Sequence, residues 1–194
     1  FSGSPTIYTL LIALSMASFG IWFYILASLK TSSLVPKKNL DAVKHKIAEK
    51  KYEEALELCE KTPSLLLKMV SAGILCRNSG QAALLDAMKA EGKRASSSYW
   101  QKISLLNDIA IIAPMLGLLG TVLGMFYAFY DLNRSVESLS ALFDGLGISV
   151  GTTIGGLMVA ILAMVFHAIT KYRLIKQLTL LEAKAQKLAY LIES

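Results

Sequence analysis

Three stretches without a single Asp, Glu, Lys or Arg dominate the sequence and restrict what it can fold into. The first runs from about Pro5 to Leu29 and the second from about Ile109 to Tyr130. The third runs from about Gly145 to Ile169, with His167 as its only ionisable group. Each exceeds the roughly 20 residues a helix needs to cross a hydrocarbon core of about 30 Å. In lipid the backbone must satisfy its own hydrogen bonds, so stretches of this kind span as helices. The first is longer than the apolar region of about 7–15 residues in a cleaved leader, which argues for a true span. Burial of all three inside a soluble domain is opposed by their length, their lack of charge and their glycine content. Composition agrees: apolar residues make up 54% and mean hydropathy is +0.51. The charged share, 18%, is below the usual value of about 25%.

Basic residues orient the spans. Of the 20 Lys and Arg, 14 lie between Lys30 and Lys102 and 5 follow the third stretch. The connector Asp131–Asp144 holds only Arg134, beside Asp131, Glu137 and Asp144. The positive-inside rule then places the middle segment and the C-terminus in the cytoplasm and the N-terminus and the connector outside. The net charge of +6 belongs to this asymmetry and not to nucleic-acid binding, since no aromatic-plus-basic pattern accompanies it. Trp22, Tyr24, Tyr127 and Tyr130 suit interfacial anchors.

The middle segment reads as helical. Val43, Ile47, Tyr52, Ala55, Leu58 and Cys59 recur near helical spacing and predict a helix over Lys44–Lys61. Pro63 ends it, and Ser64 is placed to cap a second helix, Leu65–Cys76, which Gly73 and Gly80 weaken near its end. Gln81–Leu106 continues as a helix into the second span. Cys59 and Cys76 form no CxxC, and histidines do not cluster, so neither a disulfide framework nor a metal site is expected. His45 and His167 stand alone on different segments, and no nucleophile, metal or phosphate-loop constellation points to an enzyme or a cofactor.

The residues that carry chemistry lie in the second and third stretches. Pro114 sits inside the second, where it removes a backbone hydrogen bond and favours a bend. Gly117, Gly120 and Gly124 fall close to one face. Gly147, Gly151 and Gly155 form a doubled GxxxG row on the third. Small residues let backbones approach, so these six are expected to pack helices together. Thr121 lies about ten residues before the outer end of its helix and Thr152 about eight after Asp144. At ~1.5 Å per residue both sit on the order of 12–15 Å deep, near the midplane. Ser149 shares the Thr152 face and Thr153 adjoins it. Bonding of each hydroxyl to a carbonyl one turn back is the alternative for any single threonine; the matched pair favours a polar ring lining a passage. No Asp, Glu, Lys or Arg lies at that depth. A proton path normally uses a titratable group, so a conducting carboxylate would come from another polypeptide. Asp108, near the cytoplasmic end of the second helix, and Asp144, at the outer end of the third, are candidates for where ions enter or leave.

At these residues the chain resembles the MotA, TolQ and ExbB proton-channel proteins. The resemblance rests on IAPMLGLLGTVLGMFYAF, Ile112–Phe129, on GISVGTTIGGLMVAILA, Gly147–Ala163, and on the topology. Three spans are similar to the TolQ and ExbB branch, whereas the flagellar stator branch has four. The resemblance implies a homo-pentamer in the bacterial inner membrane, enclosing single membrane helices of an ExbD- or TolR-like partner that supplies the essential Asp. It maps the pore threonines onto Thr121 and Thr152, and implies that proton motive force turns the ring relative to the partner and drives an envelope process. Two departures stand out: Gly147 stands five positions before Thr152, where similar members have glutamate, so their glutamate relay is unavailable and Asp144, one turn outward, is the partial substitute; and Leu162 stands where they have proline.

The expected architecture is therefore all-α, with three transmembrane helices and a helical cytoplasmic domain. Its expected divisions are a first transmembrane helix over 1–29, the cytoplasmic domain over 30–104, a second transmembrane helix over 105–130, a periplasmic connector over 131–144, a third transmembrane helix over 145–170 and a cytoplasmic C-terminal helix over 171–194. The function expected is the channel-forming subunit of a proton-driven motor; a structural scaffold that conducts nothing is the alternative.

Overall fold

The structure, a computed structural model, describes residues 3–29, 37–62, 64–132 and 139–193. Among these residues every regular element is helical: α1 Gly3–Ser28, α2 Lys37–Ala48, α3 Tyr52–Lys61, α4 Leu65–Leu75, a 3-10 turn at Arg77–Ser79, α5 Gln81–Leu132 and α6 Leu139–Glu193. Three helices each contain a stretch long and apolar enough to cross a membrane, within Thr6–Ser28, Gln81–Tyr130 and Gly145–Ile192. Met16, Phe23, Met115, Phe126, Met158 and Ile161 are all more than half exposed on them. So continuous an apolar exterior suits lipid and not water.

The chain forms two units. The first comprises Phe1–Tyr24 and Lys102–Thr170. In it α5 and α6 pack antiparallel along small side chains. An added Cβ at Gly145 would meet Ala128 Cβ at 2.8 Å, and one at Gly124 would meet Ser149 Cβ at 2.8 Å. One at Gly117 would come within 3.0 Å of the Thr153 Cα and 3.3 Å of the Gly156 Cα. Ala113 and Ala160 share one buried cluster, and Ala110 and Ala163 another. α1 closes on this pair with a stripe spaced alternately by four and three. Ile7 and Leu11 join the first cluster, and Leu14 and Ile21 pack on the second. Trp22 stacks on Phe166 with centroids 4.6 Å apart, and the Tyr24 ring lies under the Lys102 ammonium at 4.3 Å. Two of the expected interfacial aromatics thus also pack within the unit. Tyr127 and Tyr130 are exposed.

The second unit comprises Ile25–Gln101 and Lys171–Ser194. Its centre is α4, apolar on nearly every side and too short, at 11 residues, to cross a membrane. Leu66, Leu67, Val70 and Ile74 are fully buried there. Ser64 caps α4 as its sequence predicts, accepting a hydrogen bond from the Leu67 N–H at 3.1 Å. Gly73, expected to weaken α4, is a packing position: an added Cβ would meet Met88 Sδ of α5 at 2.8 Å. Gly92 of α5 receives Met69 in the same way, with Met69 Cε at 3.0 Å. A buried stripe of α6, Leu174, Leu181, Ala185, Leu188 and Ile192, completes the core.

The helix expected over Lys44–Lys61 is two helices. α2 stops at Ala48 and α3 starts at Tyr52. Lys50 takes a left-handed φ of 59°. Its N–H donates to the Ile47 carbonyl at 3.0 Å, and the Lys51 N–H reaches back to Lys46 at 3.0 Å. This is a Schellman stop with lysine where glycine is usual. Conversely, the helix predicted to start at Gln81 runs unbroken through the second span to Leu132 with Pro114 inside it, and the third span and C-terminal segment are one helix.

Candidate functional site

The α5–α6 contact is where the hydroxyls of Ser149, Thr152 and Thr153 fall, with that of Thr121 beside it. Gly120 has no side chain, and the Thr152 side chain fills that space: an added Cβ would meet Thr152 Cβ at 2.6 Å. Thr152 is therefore 1% exposed. Its hydroxyl donates to the Ser149 carbonyl at 2.7 Å and lies 3.3 Å from the Gly117 carbonyl across the seam. Ser149, also buried, donates to the Thr121 carbonyl at 3.0 Å, and Thr153 donates to the Gly117 carbonyl at 3.0 Å. Three hydroxyls of α6 thus point at the backbone of α5. Such interhelical bonds in lipid contribute about 0.6 kcal/mol each on average.

Thr121 differs from them. It is half-buried, and its hydroxyl proton goes one turn back to the Leu118 carbonyl at 2.7 Å. A hydroxyl that donates once keeps two lone pairs for accepting. Those of Thr121 are on the side of α5 that carries exposed Leu118, Val122 and Met125. Among the described residues, the stretch from Ile109 to Tyr130 and that from Gly145 to Ile169 hold no Asp, Glu, Lys or Arg.

The remaining predicted residues are distributed more widely. Gly117, Gly120 and Gly124 line the seam as expected. The row Gly147, Gly151 and Gly155 does not face α5. Gly151 lies under the Tyr8 hydroxyl of α1, 2.8 Å from where a Cβ would stand, and Gly155 is near Leu11 Cδ1 at 3.7 Å. An added Cβ at Gly147 would meet nothing within 4 Å. The α6 residues that do face α5 are Gly145, Ser149, Thr152, Thr153 and Gly156, continued by Ala160 and Ala163. Sequence reasoning passed over Gly145, Gly156 and the alanines. Their signal was the alternation of steps of three and four, which a search for GxxxG alone does not see. Asp108 is exposed on α5. The side chain of Asp144 lies outside the described residues, as do residues 133–138 of the connector. Among the described residues no group of three His, Cys, Asp or Glu is placed to hold a metal ion.

Comparison with known proteins bears on the family of the chain. The chain is 30% identical over 135 residues to a Methanothermobacter thermautotrophicus protein named as an ExbB homolog among biopolymer transport proteins, covering 65% of this chain and 48% of the relative. It is 29% identical over 166 residues to an ExbB-like protein of Synechocystis, covering 82% of this chain and 63% of that one. A biopolymer transport protein of Vibrio cholerae, exbB1, is 42% identical over 64 residues, 32% of this chain and 28% of the relative. The chain thus spans less than two thirds of the length of each of these relatives. The profile of the MotA/TolQ/ExbB proton channel family matches residues 44–183. With three apolar spans and a match over most of its length, this membrane protein belongs to the MotA/TolQ/ExbB proton channel family.

Proposed function

We propose that the chain is the channel-forming subunit of a proton-driven motor in a bacterial inner membrane. Copies of it assemble as a ring, a pentamer by family likeness, around one or more single-helix partners of the ExbD or TolR kind. The N-terminus and the 131–144 connector are periplasmic; the 30–104 domain and the C-terminal 171–194 segment are cytoplasmic. The α5–α6 pair forms the wall. Thr121 offers its lone pairs to the passage, and Thr152, with Ser149 and Thr153 at the same depth, keeps the wall closed.

One observation carries this reading: four hydroxyls lie in or beside the α5–α6 seam, on stretches that have no Asp, Glu, Lys or Arg among the described residues. A hydroxyl accepts a hydrogen bond from a protonated carboxylic acid but does not hold charge near neutral pH. The chemistry is therefore half of a proton path, and we assign the acid, an Asp, to the partner helix. The proton bound by that carboxylate is handed past Thr121, and the charged carboxylate left behind is drawn toward water at either end of the wall. Asp108 and Asp144 are placed near those ends.

A second reading has its own observation. Every one of the four hydroxyls already has a carbonyl partner within the chain, as a scaffold that only packs would need. Proton flux into proteoliposomes holding the chain and its partner separates the two. Thr121→Val removes one acceptor and is expected to slow flux up to about tenfold, the loss of a hydrogen bond between neutral groups of about 0.5–1.5 kcal/mol. No flux through the native complex, with energy-coupled function unchanged by Thr121→Val and Thr152→Val, would leave the scaffold standing.

A further inference from the structure

The second unit carries two charged surfaces on which most charges have no opposite partner among the described residues. One is a groove of about 520 Å³ between α2 and the end of α6. Leu40, Leu188 and Leu191 form its floor, and Lys44, Lys184 and Lys187 its rim. The single carboxylate there, Asp41, is 3.8 Å from Lys44, a weak exposed contact. Lys184 and Lys187 are exposed and pair with no carboxylate among the described residues.

The other is the outer face of α3. Ala55 and Cys59 turn that helix's buried side inward. Glu53, Glu57 and Glu60 then share the opposite side, exposed, with half-buried Leu56 among them. Glu57 reaches Lys61 at 3.3 Å, and Glu53 and Glu60 pair with no cation among the described residues. Seven residues separate Glu53 from Glu60, and seven separate Lys184 from Leu191, so ridge and groove have the same length of about 10 Å.

We propose that neighbouring copies of the chain meet here, the acidic α3 ridge of one seated in the lysine-rimmed groove of the next; this rests on the ring proposed above. The charges are opposite, the lengths match, and Leu56 has an apolar floor to cover. The two surfaces also face different ways. Glu54 binds Lys46 of α2, and Lys46 lies about 200° round that helix from Lys44. α3 is thus held on the flank of α2 turned away from the groove. A surface on one flank and its complement on the other make a head-to-tail contact, the kind that closes into a ring.

Native mass spectrometry of the full chain in detergent micelles tests this. Lys184→Glu with Lys187→Glu, and separately Glu53→Lys with Glu57→Lys, are expected to lower the oligomer-to-monomer ratio about tenfold or more, because like charges then face each other. All four changes together restore it. These residues are exposed, and unchanged helicity by circular dichroism confirms that each variant folds. An oligomer indifferent to the groove variant overturns the contact alone. Failure of the fourfold variant to recover also overturns it, and assigns the groove to another acidic occupant, a partner segment or an anionic lipid. A native chain that stays monomeric overturns both the contact and the ring.

Discussion

At Gly120 the absence of one methyl group decides whether two helices touch. Thr152 occupies the space where a Cβ would stand, and both belong to helices pinned by further contacts above and below. Overpacking of this kind costs about 1–3 kcal/mol. Gly120→Ala should therefore lower the thermal unfolding midpoint in detergent, whereas Gly147→Ala, in open space, should leave that of the single chain unmoved. A clear loss at Gly147 would show that a second copy packs there. The two cysteines make a similar contrast. Burial pushes the Cys59 thiol up to about 11, with Glu60 adding to the effect. The thiolate is the nucleophile, so little of Cys59 reacts near neutral pH. Cys76 is only half-buried. Iodoacetamide at pH 7.5 should label Cys76 first and Cys59 only on unfolding; equal rates would contradict the packing of α3.

The helices of the second unit are set by their ends as much as by their faces. Ser64 is 4% exposed and satisfies a backbone N–H of α4 that has no other partner in the first turn. Ser64→Ala is expected to cost about 1 kcal/mol. Lys50 pays for a left-handed backbone at the end of α2, a conformation that costs a side-chain-bearing residue about 1–2 kcal/mol. Lys50→Gly should accordingly stabilise the unit, by about 0.5–1 kcal/mol after glycine's greater loss of entropy. Chemical denaturation in micelles measures both, and a destabilising Lys50→Gly would contradict the Schellman geometry. The Ser64 cap could be read from Ser-after-Pro ahead of an apolar run. The Lys50 stop could not, because Glu-Lys-Lys is an ordinary helix-interior sequence and only the hydrogen bonds to Lys46 and Ile47 reveal the turn.

Across the whole molecule the charges lie outside the spans, and several are tied into pairs. Hydrogen bonds from Lys46 and Lys51 hold the carboxyls of Glu54 and Glu49 below their ordinary value, and Arg94 does the same for Glu91. A carboxyl depressed in the folded state adds stability that is complete above its unfolded value of about 4.3 and is lost as pH falls through the lower folded value. The unfolding midpoint should thus hold steady from pH 7 to about 5 and drop in the acid range below that. The pairs are exposed, so added salt should flatten the drop. A midpoint that rose on acidification would mean that these pairs do not form.

The amino-acid sequence by itself determined that the chain is helical and crosses a membrane three times, since twenty-odd uncharged residues admit no other solution in lipid. It also put Gly117, Gly120 and Gly124 close to one face of the second stretch and led to the expectation that Thr121 and Thr152 lie at matching depth. Only the tertiary structure decided which small residues of α6 meet them. In water a buried face is marked by polarity, but in lipid both faces of a helix are apolar and only side-chain size distinguishes them. Gly145, Ser149, Thr152 and Gly156 therefore looked no different from Gly147, Gly151 and Gly155 until the helices were brought together. The same holds for the second unit. Lys44 and Lys187 are far apart in the chain, and no local pattern could show that α2 and the end of α6 share one groove.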